Sequence, residues 1–417
     1  MPVTFLPDLS EEQYLNCNRC GLCLSVCPTY REYLSETSSP RGRVALARKG
    51  LQNELGLSRN LFAQMYACFN CLACNQICPV GIHPANLALA MRQIEGYRYP
   101  FKFKRALLGS LTLKPEQIEL TSWLFRIYRQ MGKFLTPQLR ALAKMLPQLP
   151  SNPARKTLPE INSADGESRY RVAYFLGCAQ NLIFANQSRA SLRVLTANHC
   201  TVIVPKRVVC CGMPLRSFGL QEILLDCARH NISLFEDLNV DVIITDCATC
   251  GSTLKEYGRF LADDNEWADR ASLFSQKVQD ISEFLLNIPL KKPNRPIEFR
   301  ITYHDPCHLR RGQGVWQQPR QLLKMIPGLE FVELPESDWC CGSAGSQLLT
   351  HYQTSLKVLD RKMDAIENTR AEVIASGCPG CQMQLSVGVW KRQMEVQITH
   401  PISLLSQAYD QDETDDR

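Results

Sequence analysis

No stretch of this 417-residue chain approaches the run of about 20 apolar residues that a membrane-spanning helix needs, so no spanning helix is expected. The first fifteen residues carry acidic but no basic side chains and no apolar run of signal-peptide length, so export is not expected either. No Gly-x-Gly-x-x-Gly fingerprint follows a strand; Gly212, Gly251 and Gly314 are isolated. A chain without a nucleotide or flavin loop has no place for a hydride acceptor, so oxidation of an organic substrate would fall to a different subunit. What remains is ordinary in bulk: 45% hydrophobic and 21% charged residues, as in a soluble globular protein, with length for two or three domains.

Cysteine is abundant, at twenty residues. Where no secretory signal directs a chain into an oxidising compartment, thiols stay reduced, and that many argue for metal ligation over disulfides. A cytoplasmic location is expected, with a peripheral seat on the cytoplasmic face of the inner membrane as the alternative. The net charge of +6 is uneven. From Arg98 to Lys156 twelve Lys/Arg face only Glu116 and Glu119, while the end of the chain from Asp410 is acidic.

Five segments follow from these patterns: 1–97 with two dense cysteine runs; a basic helical connector and linker, 98–169, free of cysteine and broken by Pro115, Pro137, Pro147 and Pro150; two copies of one unit, 170–295 and 296–409; and an acidic tail, 410–417. The duplication rests on register. Cys178, Cys210, Cys211, Cys247 and Cys250 recur as Cys307, Cys340, Cys341, Cys378 and Cys381, at offsets of 129, 130, 130, 131 and 131. Each copy reads strand, helix, strand, helix, strand. The strands are expected near 171–176, 201–204 and 240–245, then near 299–303, 330–334 and 372–375, each running into cysteine. This is the pattern of a parallel-sheet α/β unit, whose ligands sit beyond the carboxyl ends of the strands, so all ten cysteines are expected at one edge. The fold class is therefore α+β and α/β: a helical two-cluster ferredoxin-like domain, a helical connector, then a duplicated α/β cysteine-rich domain with parallel-sheet units.

The first region carries Cys17-x2-Cys20-x2-Cys23-x3-Cys27-Pro28 and Cys68-x2-Cys71-x2-Cys74-x3-Cys78-Pro79. Three cysteines two residues apart wrap a tight loop around one cubane, and the fourth begins a helix leading to the neighbouring cluster. Zinc is the competing reading, but a 2-2-3 spacing followed by proline, twice over, is not zinc grammar. The runs resemble bacterial two-cluster ferredoxins. That resemblance implies a crossed fourth ligand: Cys17, Cys20, Cys23 and Cys78 on one [4Fe–4S] cluster, and Cys68, Cys71, Cys74 and Cys27 on the other. Between them, Ser39-Pro-Arg-Gly-Arg43 reads either as a helix start with proline in its first turn or as a pair of cations balancing cluster charge.

The Cys178…Cys210-Cys211-Gly212…Cys247-x2-Cys250 set and its repeat resemble the cysteine-rich domains of heterodisulfide reductase catalytic subunits, which also occur in the anaerobic glycerol-3-phosphate dehydrogenase complex. The whole chain, from about Asn16 to Ala408, is most similar to the glycolate oxidase iron–sulfur subunit family. Leu176-Gly-Cys-Ala-Gln180, Lys255-Glu-Tyr-Gly258 and Cys340-Cys-Gly-Ser-Ala-Gly345 support the likeness. The resemblance implies one or two further [4Fe–4S] clusters, of non-cubane type in the reductases, one on each five-cysteine set. It also implies an FAD-containing partner subunit, no flavin on this chain, and an oxidoreductase complex in which this chain does not bind the organic substrate. Many glycolate oxidase subunits lack one cysteine of the Cys-x-x-Cys pair; this chain keeps both in both copies. Independently, Gly212 and Gly342 allow close backbone approach, so that amides can reach sulfur. A redox-active dithiol or zinc remains the alternative at these ten cysteines.

The leading reading is thus electron transfer in a flavin-linked dehydrogenase of 2-hydroxy acids, glycolate or D-lactate, towards quinone or another acceptor. A thiol–disulfide reductase is the second reading, and an electron hub between an electron-transfer flavoprotein and the membrane the third. Cys200 and Cys227 have no partner at motif spacing and read as core residues. His304 and His308 flank Cys307 and are candidates for moving a proton or tuning a cluster, or for plain strand-end capping. Asp246 reads as a cap beside Cys247. Phe101-Lys-Phe-Lys-Arg105 and Trp123-Leu-Phe-Arg-Ile-Tyr-Arg129 would suit an acidic partner or an anionic membrane surface. No nucleic-acid partner is expected, because no binding motif accompanies the charge. Cys74→Ser is expected to remove one cubane, read as a loss of about four iron per chain by iron and sulfide assay; full iron in that variant would contradict the ligand assignment.

Overall fold

The computed structural model describes residues 9–98, 102–114, 116–117, 119, 152–345 and 347–409. Trp123–Arg129, the acidic tail and most of the basic connector lie outside the described residues.

The first region is helical, and its helices begin where the sequence offers a cap. Pro28 opens Pro28–Tyr33 directly after the extended Cys27. Ser39 caps Pro40–Leu51 by accepting from the Gly42 amide at 2.9 Å, so the Ser-Pro-Arg-Gly-Arg string does start a helix. A Cβ on Gly42 would lie 1.8 Å from the Glu36 carbonyl oxygen, which leaves room only for glycine. The second run differs from expectation. Cys78-Pro79 enters a turn, and the helix Pro84–Arg98 starts five residues later, with Pro84 as its first residue.

The two copies are parallel sheets. In the first, β1 (Ile161–Asn162), β2 (Tyr170–Tyr174), β3 (Cys200–Ile203), β4 (Val242–Thr245) and β5 (Val278–Asp280) take the order β1-β3-β2-β4-β5, parallel except for β1. In the second, β6 (Arg300–Tyr303), β7 (Glu330–Val332), β8 (Val373–Ala375) and β9 (Gln397–Thr399) take the order β7-β6-β8-β9, all parallel. Registers correspond: Val172 pairs with Val202 and Val242, as Ile301 pairs with Phe331 and Val373. Each copy has a fourth parallel strand that was not expected, because Val-Gln-Asp and Gln-Ile-Thr are too short and too polar to stand out. Residues 152–169 are more than a linker. They carry the helix Ala154–Thr157 and β1, which adds an antiparallel edge to the first sheet.

Alternation on the central strands decides what packs where. Val172 and Tyr174 turn to a core that also holds Ile301, Tyr303, Val373 and Ala375, so the copies share one apolar interior. Ala173 and Phe175 face the helices of the first copy alone. Burial on both faces is what makes β4 an unbroken apolar run ending in threonine. Cys200 and Cys227 are fully buried in these cores, as expected of small apolar residues.

The first region is clamped onto the copies by a buried arginine. Arg92 donates to the carbonyls of Met65, Cys68 and Ser217, and Gln93 donates to Gln221 at 2.7 Å. Beside them two glycines let backbones touch. A Cβ on Gly96 would lie 2.2 Å from the Gly219 oxygen, and one on Gly219 (φ +73°) 2.2 Å from the Arg92 oxygen. Gly219→Ala combines left-handed strain with this clash and is expected to cost on the order of 1–3 kcal/mol, seen as a lower melting temperature. An unchanged melting temperature would show that the junction is not held here.

Candidate cysteine-rich metal centre

Each ferredoxin-type run bends twice through left-handed backbone, at Arg19 and Gly21 around Cys20, and at Asn70 and Leu72 around Cys71. Such turns direct successive amides to one side, where they can meet thiolate sulfur; the Asn70 amide lies 3.4 Å from the Cys68 Sγ. Cys27, Cys68, Cys71 and Cys74 line one small cavity with Thr29 and Arg43. This is the crossed set that the ferredoxin resemblance implies. Arg43 is buried there, donating to the Gln64 carbonyl and to Thr29, whose hydroxyl is 3.3 Å from the Cys27 Sγ. Of the two arginines in the Ser39–Arg43 string, Arg43 is therefore the cation against the cysteines, while Arg41 pairs with Glu36. Cys17 and Cys20 neighbour Cys23, whose thiol is pushed up to about 11, first by burial. Cys17 and Cys78 pack against the same apolar core.

The ten cysteines of the two copies line a single cavity of about 230 Å³. Every one follows a strand's carboxyl end, from two residues on at Cys247 to nine residues on at Cys341. Cys178 and Cys307 begin helices, Cys247 and Cys378 cap them, and Gly212 and Gly342, both left-handed, turn their amides to within 3.5 Å and 3.4 Å of the Cys210 and Cys340 sulfurs. The Cys250 amide reaches the Cys247 Sγ at 3.4 Å. Helix N-termini and free amides stabilise thiolate. Thiol meets thiol throughout: Cys341 and Cys381 are 3.3 Å apart, and Cys341 is held well below the usual thiol range by the hydrogen bonds of Cys340 and Cys381. Cys178 is driven the other way, by its contact with Cys210 and by burial. The copies join at their Cys-x-x-Cys motifs. Cys378 is lowered first by Cys247, Thr249 Oγ1 is 3.3 Å from its sulfur, and the Ala248 amide donates to the Gly377 carbonyl.

The ferredoxin-type domain enters this cavity directly. Phe69 and Asn70 line it, and the Cys71 thiol is lowered to about 7, chiefly by a hydrogen bond from Cys340. Arg311 spans the junction, donating to the Cys71 carbonyl at 3.3 Å and to Asp338 at 2.7 Å. Lys362, buried in the helix Tyr352–Thr369, donates to the carbonyls of Glu336 and Ser337 near Cys340 and Cys341. His308 Nδ1 is 3.5 Å from the Cys307 Sγ, while His304, Cys341 and Cys381 offer ligand atoms within 4.8 Å of one another. Asp246 is not a cap: Cys247 takes that position, and the Asp246 carboxylate accepts from Gln180, Gln187 and Ser191.

All twenty cysteines are unbridged. A buried, sulfur-rich donor set with inward amides and nearby cations fits iron and sulfide. Five sulfurs per copy around so large a cavity exceed the four-coordinate shell of structural zinc.

Residues 13–82 match the 4Fe-4S dicluster domain, and residues 172–255 and 301–386 each match the cysteine-rich domain. Over 97% of its length the chain is 33% identical to the probable glycolate oxidase iron–sulfur subunit of Bacillus subtilis, 96% of which is covered. The chain belongs to the family of glycolate oxidase iron–sulfur subunits. Within that family the Escherichia coli glycolate oxidase iron–sulfur subunit is 29% identical over 95% of this chain and 94% of its own. A further relative, one of the subunits of the fumarate reductase (CoM/CoB) of Methanothermobacter marburgensis, is 29% identical over 95% of this chain and 72% of its own. The family's two domain types identify the chain as an iron–sulfur protein. Among the described residues no helix is long and apolar enough to cross a membrane.

The sequence offered Arg43 as a cation that could balance cluster charge, but not Arg311, which follows Cys307 without motif spacing, or Lys362, which lies mid-helix among polar residues. Arg311→Gln is expected to lower the reduction potential of the centres on either side by roughly 60 mV, a tenfold change for a one-electron couple, with iron retained. Potentiometric titration measures it; an unshifted potential would show the guanidinium has no electrostatic part.

Proposed function

We propose that this chain is the electron-transfer subunit of a flavin-linked 2-hydroxy-acid dehydrogenase, glycolate or D-lactate being the substrate class. Electrons would arrive from an FAD-containing partner subunit and leave towards quinone or another acceptor. In this reading Cys17, Cys20, Cys23 and Cys78 hold one [4Fe–4S] cluster and Cys68, Cys71, Cys74 and Cys27 a second. The sets Cys178, Cys210, Cys211, Cys247, Cys250 and Cys307, Cys340, Cys341, Cys378, Cys381 hold one each. When bound, these groups supply one-electron steps that a flavin's two-electron oxidation requires to be split.

The observation that carries the reading is continuity. Cys71 lines the pocket of Cys27 and takes a hydrogen bond from Cys340, and Cys340 lines the ten-cysteine cavity. The chain's own residues bury the thiols, aim amides at them, and place Arg43, Arg311 and Lys362 against their charge. The names of the relatives support the substrate class: besides the two glycolate oxidase subunits, the lactate utilization protein A of Bacillus subtilis is 27% identical over 57% of this chain and 99% of its own.

A second reading, thiol–disulfide reduction at the five-cysteine sites, is favoured by two features. Both cysteines of Cys-x-x-Cys are present in both copies, and the similarity to the CoM/CoB-linked relative spans 95% of this chain, both copies included. Anaerobic capture of the chain with its partners, followed by iron, sulfide and flavin analysis, separates the two. A co-eluting flavoprotein with about 16 iron per copy of this chain, and no flavin on the chain alone, is the expected outcome. Stoichiometric flavin in the denatured isolated chain would overturn the division of labour, and disulfide-dependent oxidation without a flavoprotein would support the reductase.

A further inference from the structure

The two copies have the same five cysteines, yet the residue that follows the central strand differs. Tyr174-Phe175 ends one strand and Tyr303-His304 the other, each three residues before the first cysteine. The backbones superpose in role: the Phe175 amide donates to the Ile244 carbonyl at 2.8 Å, and the His304 amide to that of Ala375 at 3.0 Å. Phe175 stacks on Phe235 at 5.9 Å in the apolar core of its copy. His304 is 1% exposed; neither ring nitrogen meets a protein nitrogen or oxygen, and the imidazole is one of the groups that lower the neighbouring Cys341 thiol. A buried polar atom left unpaired is destabilising, so an imidazole where the sister copy keeps a phenyl ring calls for a partner. The candidates within reach are the Cys341 and Cys381 sulfurs and whatever those sulfurs bind, since ligand atoms of all three residues lie within 4.8 Å of each other.

We propose that His304 supplies a nitrogen ligand to the centre of the second copy, so that this centre has a mixed sulfur and imidazole donor set while the first copy has sulfur alone. The inference rests on the reading that the second five-cysteine set holds an iron–sulfur cluster. It explains an asymmetry that duplication alone would not produce, because the first copy has everything except the nitrogen. The second copy is also the one whose cysteines meet those of the ferredoxin-type domain, through Cys71 and Cys340.

Electron–nuclear double resonance on the full chain, purified anaerobically with and without ¹⁵N-histidine, tests the ligand. A directly bound nitrogen coupling that changes with the label is expected in the wild type. It should be lost in His304→Phe, which restores the residue of the first copy, with iron and sulfide unchanged. It should persist in His308→Gln, and its loss there instead would overturn the assignment. Full iron and sulfide with no histidine coupling in the labelled wild type would overturn the ligation and leave the cluster reading standing. Iron and sulfide short by the second copy's share would overturn both. The labelled wild type decides the question of ligation even where His304→Phe fails to fold.

Discussion

Thiolates crowded into a dry cavity repel one another, and the structure is organised around that repulsion. At an effective dielectric of about 20, two unit charges 4 Å apart oppose each other by roughly 4 kcal/mol. A domain's whole net stability is only about 5–15 kcal/mol. Ten sulfurs in one cavity, with Cys341 and Cys381 at 3.3 Å, cannot all ionise without a compensating cation. In the thiols themselves the outcome is proton sharing: Cys211, Cys307, Cys341 and Cys378 are lowered by neighbouring thiols, while Cys178, Cys250 and Cys381 are raised. Iron and sulfide convert this arrangement from repulsive to cohesive, and the protein contributes the rest through amides and helix N-termini.

The same constraint accounts for the placement of positive charge. Arg43 lies against the Cys27 pocket, Arg311 between the ferredoxin-type domain and the second copy, and Lys362 behind Cys340 and Cys341. The first copy is arranged differently, with Arg155 lining a small pocket beside Cys178 and Cys210. At positions matching Arg311 and His308 it has Leu182 and Ala179, and the position matching Lys362 is Asn231, which bonds the backbone beside Cys210. Duplication supplied two equal sulfur sets, and the side chains around them then diverged. The half whose cysteines meet Cys71 gained His308, Arg311 and Lys362 around its sulfurs.

Rigidity at the junction serves the same end. Arg92 gives its hydrogen bonds to backbone carbonyls on both sides, and Gly96 and Gly219 bring two backbones into contact. Short, fixed separations matter to electron transfer more than to catalysis by a mobile side chain. The Arg92 guanidinium also sets a buried positive charge beside Cys68.

The sequence by itself determined which cysteines are candidate ligands and that the second half is two copies of one unit, because cysteine spacing and register within two residues over some 130 positions survive any change of partner. It also determined the parallel sheets, through short apolar runs that end at cysteine. It did not disclose β5 and β9, which are three polar-leaning residues each and owe their strand form to neighbours already in the sheet. Nor did it disclose that 154–162 completes the first sheet, since proline and polar residues there look like linker. Only the tertiary structure decided that all ten cysteines share one cavity, that Cys71 reaches Cys340, and that Arg311, Lys362 and His304 face the sulfurs. The reason is physical: local spacing specifies which atoms can bind a metal, whereas charge balance and contact between centres arise between residues up to hundreds of positions apart, where only packing brings them together.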